Sequence, residues 1–87
     1  MNKKPKILIV DDQDDNRFVI KLALKEEEYE FVEAEDGKKA IEIASSVKPD
    51  VILMDAVMPN MDGFDATQAI RKNPELERTP ILMITSL

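Results

Sequence analysis

The chain has 87 residues, of which 44% are apolar and 34% charged, and its net charge at neutral pH is −6. This balance is typical of one small globular domain, and the absence of Cys and His excludes disulfides, thiolate metal sites and histidine catalysis. No basic face for nucleic acid and no run long enough to cross a bilayer or form a signal-peptide core is visible, so we expect a cytoplasmic protein.

The first third of the chain predicts a strand, a helix and a second strand. The apolar run at Ile7–Val10 is typical of a strand buried on both faces of a parallel sheet. We expect Asp14 or Asp15 to cap a helix that continues to about Glu27, with an apolar face formed by Phe18, Val19, Leu22 and Ala23. Alternation over residues 29–35 then predicts the second strand.

The rest of the chain repeats this alternation. The further predicted elements are a helix at residues 36–47, a strand at 50–55, a helix from about Phe64 to Lys72 and a strand at 79–86. In the first of these helices, Ala40, Ile41 and Ala44 are spaced to face inward. The order βαβαβαβ indicates an α/β fold with a parallel sheet and right-handed crossovers.

Polar side chains stand where three of the predicted strands end. Asp11 and Asp12 follow the first strand, Asp55 ends the third, and Thr85 lies at the end of the fourth. If the first and third strands are neighbours, the three carboxylates converge on one cleft at the carboxyl edge of the sheet. Two carboxylates ~4 Å apart repel by ~4 kcal/mol at an effective dielectric constant of about 20. Mg²⁺, which prefers few oxygen ligands and keeps several waters, would relieve that repulsion.

Three segments together carry a family resemblance. "ILIVDD", "VILMDAVMPNMDG" and "PILMITS" resemble, in order and approximate spacing, the motifs of the receiver domain of two-component response regulators. The similarity covers the whole chain, so residues 1–87 are interpreted as one receiver domain. It implies a flavodoxin-like, doubly wound parallel sheet with strand order 2-1-3-4.

The resemblance also implies a function and its residues. The domain would be a signalling module and not an enzyme, with no membrane or nucleic-acid partner of its own. A histidine kinase or phosphotransfer protein would donate a phosphoryl group to Asp55. Mg²⁺ would bind Asp11, Asp12, Asp55 and the backbone carbonyl of Val57. Two further residues would contact the phosphoryl oxygens, namely Thr85 as the hydroxyl switch and Ser86 through its backbone N–H.

One part of the family pattern has no counterpart. Receiver domains continue with a helix, a fifth strand ending in lysine and a last helix, and no residue here matches that lysine or the aromatic switch residue of the fifth strand. We therefore expect a C-terminally incomplete domain in which stable phosphorylation is poor. The uncovered sheet face and the edge of the fourth strand predict self-association.

Other interpretations are weaker or remain as alternatives. A receiver-like interaction module that is not phosphorylated stays open. A phosphohydrolase of the haloacid-dehalogenase type needs a second Asp where Val57 stands. An EF-hand starting at Asp12 fails, because Arg17 and Ala23 occupy its glycine and glutamate positions. Asp14 and Asp15 are expected to be capping or solvated charges.

Overall fold

The computed structural model describes residues 3–85, which form a four-stranded parallel sheet and three α-helices. In chain order the elements are β1 (Lys6–Val10), α1 (Asp14–Ala23), β2 (Glu30–Ala34), α2 (Gly37–Val47), β3 (Val51–Asp55), α3 (Gly63–Arg71), a 3₁₀ helix (Pro74–Leu76) and β4 (Ile81–Ile84). The strands lie in the order β2-β1-β3-β4. The predicted α/β class, parallel sheet and 2-1-3-4 order are confirmed, whereas the 3₁₀ helix was not predicted.

The start and end of α1 differ from the prediction. The residue that caps the helix is Gln13, and its side chain makes no capping hydrogen bond, so neither Asp14 nor Asp15 is the cap. The helix ends at Ala23 rather than near Glu27, and residues 24–26 continue as a turn. Three glutamates follow in succession, and negative charge at a helix carboxyl end is unfavourable, which explains the early end.

The other two helices begin at aspartate caps. The Asp36 side chain accepts a hydrogen bond from the backbone N–H of Lys39 at 2.7 Å, and Asp62 accepts one from Asp65 at 2.9 Å. At the far end of α2, Lys48 adopts the left-handed conformation with a φ of 52°, and Pro49 prevents the helix from continuing. These local signals fix where α2 and α3 start and thus which faces they turn to the sheet.

The main hydrophobic core lies between the sheet and the pair α2 and α3. The predicted inward face of α2 is confirmed, since Ala40 and Ala44 are buried and Ile41 packs against the same core. The other buried members of this cluster are Leu8, Val10, Ala34, Ile52, Met54, Met58, Ala66, Ile70 and Leu76. Because alternate residues of a strand point to opposite faces, the remaining strand residues face the side on which α1 lies.

The predicted apolar face of α1 is wrong. Phe18, Val19 and Leu22 are all more than half exposed, and Ala23 is exposed as well. The less exposed side of the helix carries Arg17, which is buried, together with Ile20, Lys21 and Leu24, which are half-buried. Helical spacing alone did not distinguish these two adjacent stripes, because each contains apolar residues.

On the side of the sheet where α1 lies, the solvent exposure of the strand side chains increases from β1 to β4. Ile9, Leu53 and Leu82 lie side by side in register on this face. Ile9 is fully buried, Leu53 is half-buried and Leu82 is 57% exposed. Within the described residues, α1 therefore shields β1 but leaves the β4 end of this face open to solvent.

No helix in the described residues 3–85 is both long and apolar enough to span a bilayer.

The tight contact of Gly63 with β3 gives a test of the fold. A Cβ atom at Gly63 would overlap the backbone carbonyl oxygen of Asp55 and lie 2.8 Å from Met83 Cε. Backbone cannot move aside cheaply, so we expect Gly63→Ala to lower the free energy of unfolding by about 2–3 kcal/mol in urea denaturation followed by circular dichroism.

Gly37→Ala is the matched control, since it also adds one methyl group at the first residue of a helix. The three atoms nearest its Cβ would all belong to the Met61 side chain, with Sδ at 2.9 Å, and a flexible thioether can shift. We expect it to cost less than about 1 kcal/mol, and equal losses in the two variants would contradict the packing described here.

Candidate functional site

The carboxyl ends of β1 and β3 bring three aspartates together. The two strands are direct neighbours, so the residues that follow Val10 and end β3 meet at the same edge of the sheet. Carboxylate oxygens of Asp11, Asp12 and Asp55 all lie within 4.8 Å of one another. Asp11 and Asp55 are buried, with 5% and 4% of their surface exposed, whereas Asp12 is exposed. The predicted convergence of the three side chains is confirmed.

Asp11 is held by hydrogen bonds on every side. Its backbone N–H donates to the carbonyl of Ala34 at 3.1 Å, which extends the β1–β2 pairing by one residue. Its carboxylate accepts from the backbone N–H of Gln13 at 2.9 Å and from Asn16 Nδ2, which lies 3.3 Å from both oxygens. These contacts fix the Asp11 carboxylate before any ion arrives.

Asp55 is buried beside two negative charges. Its Oδ1 accepts a hydrogen bond from the backbone N–H of Val57 at 3.1 Å. Burial raises the pKa of the Asp55 carboxyl, the Val57 hydrogen bond lowers it, and the charges of Asp11 and Asp12 raise it further, so that the pKa lies above its ordinary value. The protein thus holds a carboxylate where its charge is unfavourable, which is a frequent feature of functional sites.

Among the described residues, no lysine or arginine side chain forms an ion pair with Asp11, Asp12 or Asp55. The ion pairs within residues 3–85 join Arg17 to Asp14 and Glu33, Lys21 to Glu33, and Lys48 to Glu75, and none involves the three aspartates. Two buried carboxylates this close repel by roughly 3 kcal/mol. Hard oxygen ligands with an open, partly solvated side fit Mg²⁺ better than a softer metal.

The other predicted site residues are Val57, Thr85 and Ser86, which follow β3 and β4 in the sequence. Val57 follows β3 with its side chain 73% exposed, which leaves its backbone beside Asp55. Thr85 directly follows β4 and is exposed; Ile84, just before it, is in register with Asp55 and accepts a hydrogen bond from Ala56 N–H at 2.9 Å. Ser86 lies outside the described residues, so its predicted role stays a prediction.

Two neighbours of the cluster were not predicted. Asn16 binds the Asp11 carboxylate, and Arg17 is a buried cation whose guanidinium donates to the backbone carbonyl of Asp11. The i,i+3 spacing of Asp14 and Arg17 was the available signal for an ion pair. Nothing in the sequence pattern indicated that this arginine would turn inward.

A separate cleft lies at the amino-terminal edge of the sheet, away from the edge that carries the aspartates. Its volume is about 860 Å³, and its lining includes Lys3, Lys4, Lys6 and Lys48 together with Glu30 and Asp50. Lys48 pairs with Glu75, and the Asp50 carboxylate accepts from the backbone N–H of Lys6 at 2.7 Å. The acidic cluster and this mixed-charge cleft are therefore separate features.

The raised pKa of Asp55 predicts a pH-dependent stability. The unfolded chain releases the Asp55 proton more readily than the folded chain, so this carboxylate lowers stability as the pH rises above about 4. Without divalent cations, we expect Asp55→Asn to raise the free energy of unfolding at pH 7, and the gain to disappear below about pH 4.

Urea denaturation across this pH range checks the expectation, with Glu42→Gln on the exposed face of α2 as the control. The control should stay within about 0.5 kcal/mol of the wild type at every pH. An Asp55→Asn variant that is less stable than the wild type at pH 7 would show that the carboxylate is not strained by its surroundings.

Comparison with known proteins identifies the family of the chain. The sequence profile of the response regulator receiver domain matches residues 7–87. PilH of Pseudomonas aeruginosa is 36% identical over 81 residues, which are 93% of this chain and 67% of PilH. The response regulator PleD of Caulobacter vibrioides is 38% identical over 82 residues, which are 94% of this chain but 18% of PleD.

Solved structures agree with the sequence relatives. The chemotaxis protein CheY4 of Vibrio cholerae superposes with a TM-score of 0.87 at 37% identity, covering 93% of this chain and 68% of CheY4. The response regulator domain of Thermotoga maritima CheB gives 0.85 at 37% identity, covering 98% of this chain and 63% of that one. The fold, the site geometry and these similarities together show that the chain belongs to the response regulator receiver domain family.

Proposed function

We propose that Asp55 is the phosphoacceptor of a two-component phosphorelay, and that Asp11 and Asp12 hold Mg²⁺ beside it. The observation that carries the proposal is the cluster of three carboxylates within 4.8 Å, in which the buried Asp55 has a raised pKa. Receiver domains interact with histidine kinases or phosphotransfer proteins, and such a protein would be the phosphoryl donor. The cytoplasmic location expected from the sequence stays a prediction.

The transfer needs an in-line approach to one carboxylate oxygen. The Val57 N–H holds Asp55 Oδ1 at 3.1 Å, which orients the side chain and leaves Oδ2 as the free nucleophile. In the reaction, Oδ2 attacks the phosphorus of a phosphohistidine, the P–N bond breaks, and the imidazole nitrogen leaves and takes up a proton. The product is an aspartyl phosphate. A carboxylate is a weak nucleophile, but phosphoryl transfer depends mainly on positioning and charge neutralisation.

Magnesium, when bound, would supply that neutralisation. The ligands proposed from this chain are the carboxylates of Asp11, Asp12 and Asp55 and the backbone carbonyl of Val57. Thr85 and the backbone N–H of Ser86 are proposed to contact the phosphoryl oxygens, with Thr85 as the switch residue. The position of Thr85 directly after β4, at the same edge as Asp55, supports its part in this proposal.

The acceptor assignment predicts a labelling pattern. Because no residue here matches the lysine of the family pattern, we expect incubation with acetyl phosphate and Mg²⁺ to add the mass of one phosphoryl group to only a fraction of the wild-type chains, and chelation of Mg²⁺ to prevent it. Asp55→Asn should remove the added mass, since an amide oxygen cannot form the acyl phosphate. Intact-mass spectrometry of the variants under equal conditions is the measurement.

Asp15→Asn is the matched control, because it removes a nearby but exposed carboxylate. It should be labelled like the wild type. Labelling of Asp55→Asn at the wild-type level would refute the acceptor assignment. If the wild type binds Mg²⁺ but takes no label, the alternative of an interaction module that is not phosphorylated is favoured.

We also propose that two copies of the chain associate through the open face, defined here as Phe18 and Leu22 of α1 with Leu82 of β4. These three side chains are each more than half exposed. Within the described residues β4 pairs only with β3, so its other edge has free backbone N–H and C=O groups. A second copy related by a two-fold axis offers the same apolar side chains and the same edge.

Association through the open face predicts a dimer that one charge can disrupt. Light scattering at low micromolar concentration should give the mass of two chains for the wild type and of one chain for Leu82→Lys. Glu42→Lys, which adds the same cationic side chain on α2 and away from the open face, should remain dimeric. A well-folded wild-type monomer at this concentration would contradict the proposal.

A further inference from the structure

We infer that Arg17 is a positioning residue for the divalent-cation site, because it fixes the peptide that joins Asp11 to Asp12. This inference rests on the proposed function, since it concerns the same site. Arg17 is not among the residues proposed to bind the metal or the phosphoryl group. It acts through the backbone between two of the proposed ligands.

The contacts of Arg17 carry the inference. Only 8% of the residue is exposed, and it is the one buried residue of α1. Its guanidinium donates through Nη1 to the backbone carbonyl of Asp11, through Nη2 to Asp14, and through Nε to Glu33 Oε1 at 2.9 Å. One side chain thus links the end of β1, the first turn of α1 and the carboxyl-terminal half of β2.

The carbonyl that Arg17 holds belongs to the peptide unit between Asp11 and Asp12. The N–H of Asp11 donates to the carbonyl of Ala34 in β2. The carbonyl of Asp11 accepts from Arg17, which also donates to Glu33 of β2. Both backbone polar groups of Asp11 are therefore anchored to β2, the first directly and the second through Arg17. An anchored peptide plane determines the direction in which the chain leaves toward Asp12. Asp12 is exposed, and the described hydrogen bonds hold the Asp11 side chain but not its own. Its position therefore depends on the peptide that precedes it.

The charge of Arg17 is compensated locally. Burial lowers its pKa, but the hydrogen bond to Glu33 and the charges of Asp14 and Glu33 outweigh burial and hold the pKa above its usual value. Lys21, one turn along α1, donates to the second oxygen of Glu33 at 2.8 Å. The hydrogen bond from Lys21 and the one from Arg17 lower the pKa of Glu33 despite its partial burial. Two cations thus face two carboxylates, and little net positive charge remains to neutralise the three site aspartates.

This balance distinguishes positioning from a purely electrostatic role. A lysine at position 17 keeps the positive charge but cannot donate in three fixed directions, as a guanidinium does. If Arg17 acted by charge alone, Arg17→Lys would preserve cation binding. If it acts by holding the Asp11 carbonyl, Arg17→Lys should weaken binding nearly as much as Arg17→Met. Loss of groups that orient metal ligands typically weakens metal affinity by a factor of about ten or more.

The test is the dissociation constant of Mn²⁺, measured from the electron paramagnetic resonance signal of the free ion in solutions of the folded 87-residue chain. We expect Arg17→Lys and Arg17→Met each to raise the constant about tenfold. Lys21→Met is the matched control, because Lys21 shares Glu33 with Arg17 but does not contact Asp11, and it should change the constant less than about twofold.

Urea unfolding of each variant separates positioning from stability, since a role limited to stability would lower the unfolding free energy and leave the Mn²⁺ constant of the folded protein unchanged. Should both Arg17 variants fail to fold, Glu33→Gln keeps the arginine but weakens its anchor, and we expect about a threefold rise.

The outcomes separate the two proposals. A folded Arg17→Lys that binds Mn²⁺ within twofold of the wild type overturns the inference and leaves the phosphoacceptor proposal intact. If both Arg17 variants fail to fold, an unchanged Mn²⁺ dissociation constant in Glu33→Gln likewise overturns the inference and leaves the phosphoacceptor proposal intact. A wild type that binds no Mn²⁺ overturns both.

Discussion

Mutual repulsion among three carboxylates at one edge of the sheet is the constraint on which the rest of this domain depends. The hydrogen bonding of β1 to β3 leaves Asp11 and Asp55 buried and close, and the pKa of Asp55 is raised as a result. Left alone, such a cluster would be relieved by a small outward movement of either strand end. The fold opposes that movement, so the repulsion can be lowered by protonation of Asp55 at low pH or by a bound divalent cation at neutral pH.

Three separate sets of contacts oppose that outward movement. Gly63 lets α3 start directly against the carbonyl of Asp55, which a larger residue would displace. Ala56 donates to the carbonyl of Ile84 and so ties the end of β3 to β4. On the opposite side, Arg17 and the Ala34 carbonyl hold the backbone of Asp11 to β2. Each acts on backbone, so the carboxylates themselves remain available to a ligand.

The sequence predicted the sheet and the acidic cluster because both follow from strong local patterns. Continuous apolar runs ending in Asp11 and Asp55 indicate buried parallel strands whose ends meet. Helical spacing such as that of Ala40, Ile41 and Ala44 indicates the helices that cross between them. The inward side of α1 was not predictable in this way. The inward side of this helix contains Arg17, and an arginine can be buried only where its donors find acceptors. These acceptors come from Asp11, Asp14 and Glu33, which lie in three different elements or turns, so the fold has to be known before they can be recognised. Phe18 and Leu22 are exposed, although large apolar residues at helical spacing are more typical of a core-facing side.

The claim that one divalent cation is shared by the three aspartates can be tested most directly by paramagnetic broadening in ¹⁵N-resolved NMR spectra. Substoichiometric Mn²⁺ should broaden the amide signals of Asp12, Ala56 and Val57 before those of any other residue. The exposed run Glu26–Glu28, which has equal formal charge but no buried carboxylate, serves as the internal reference. Broadening that begins at Glu26–Glu28, or that spreads evenly over all acidic residues, would contradict a shared site at Asp11, Asp12 and Asp55.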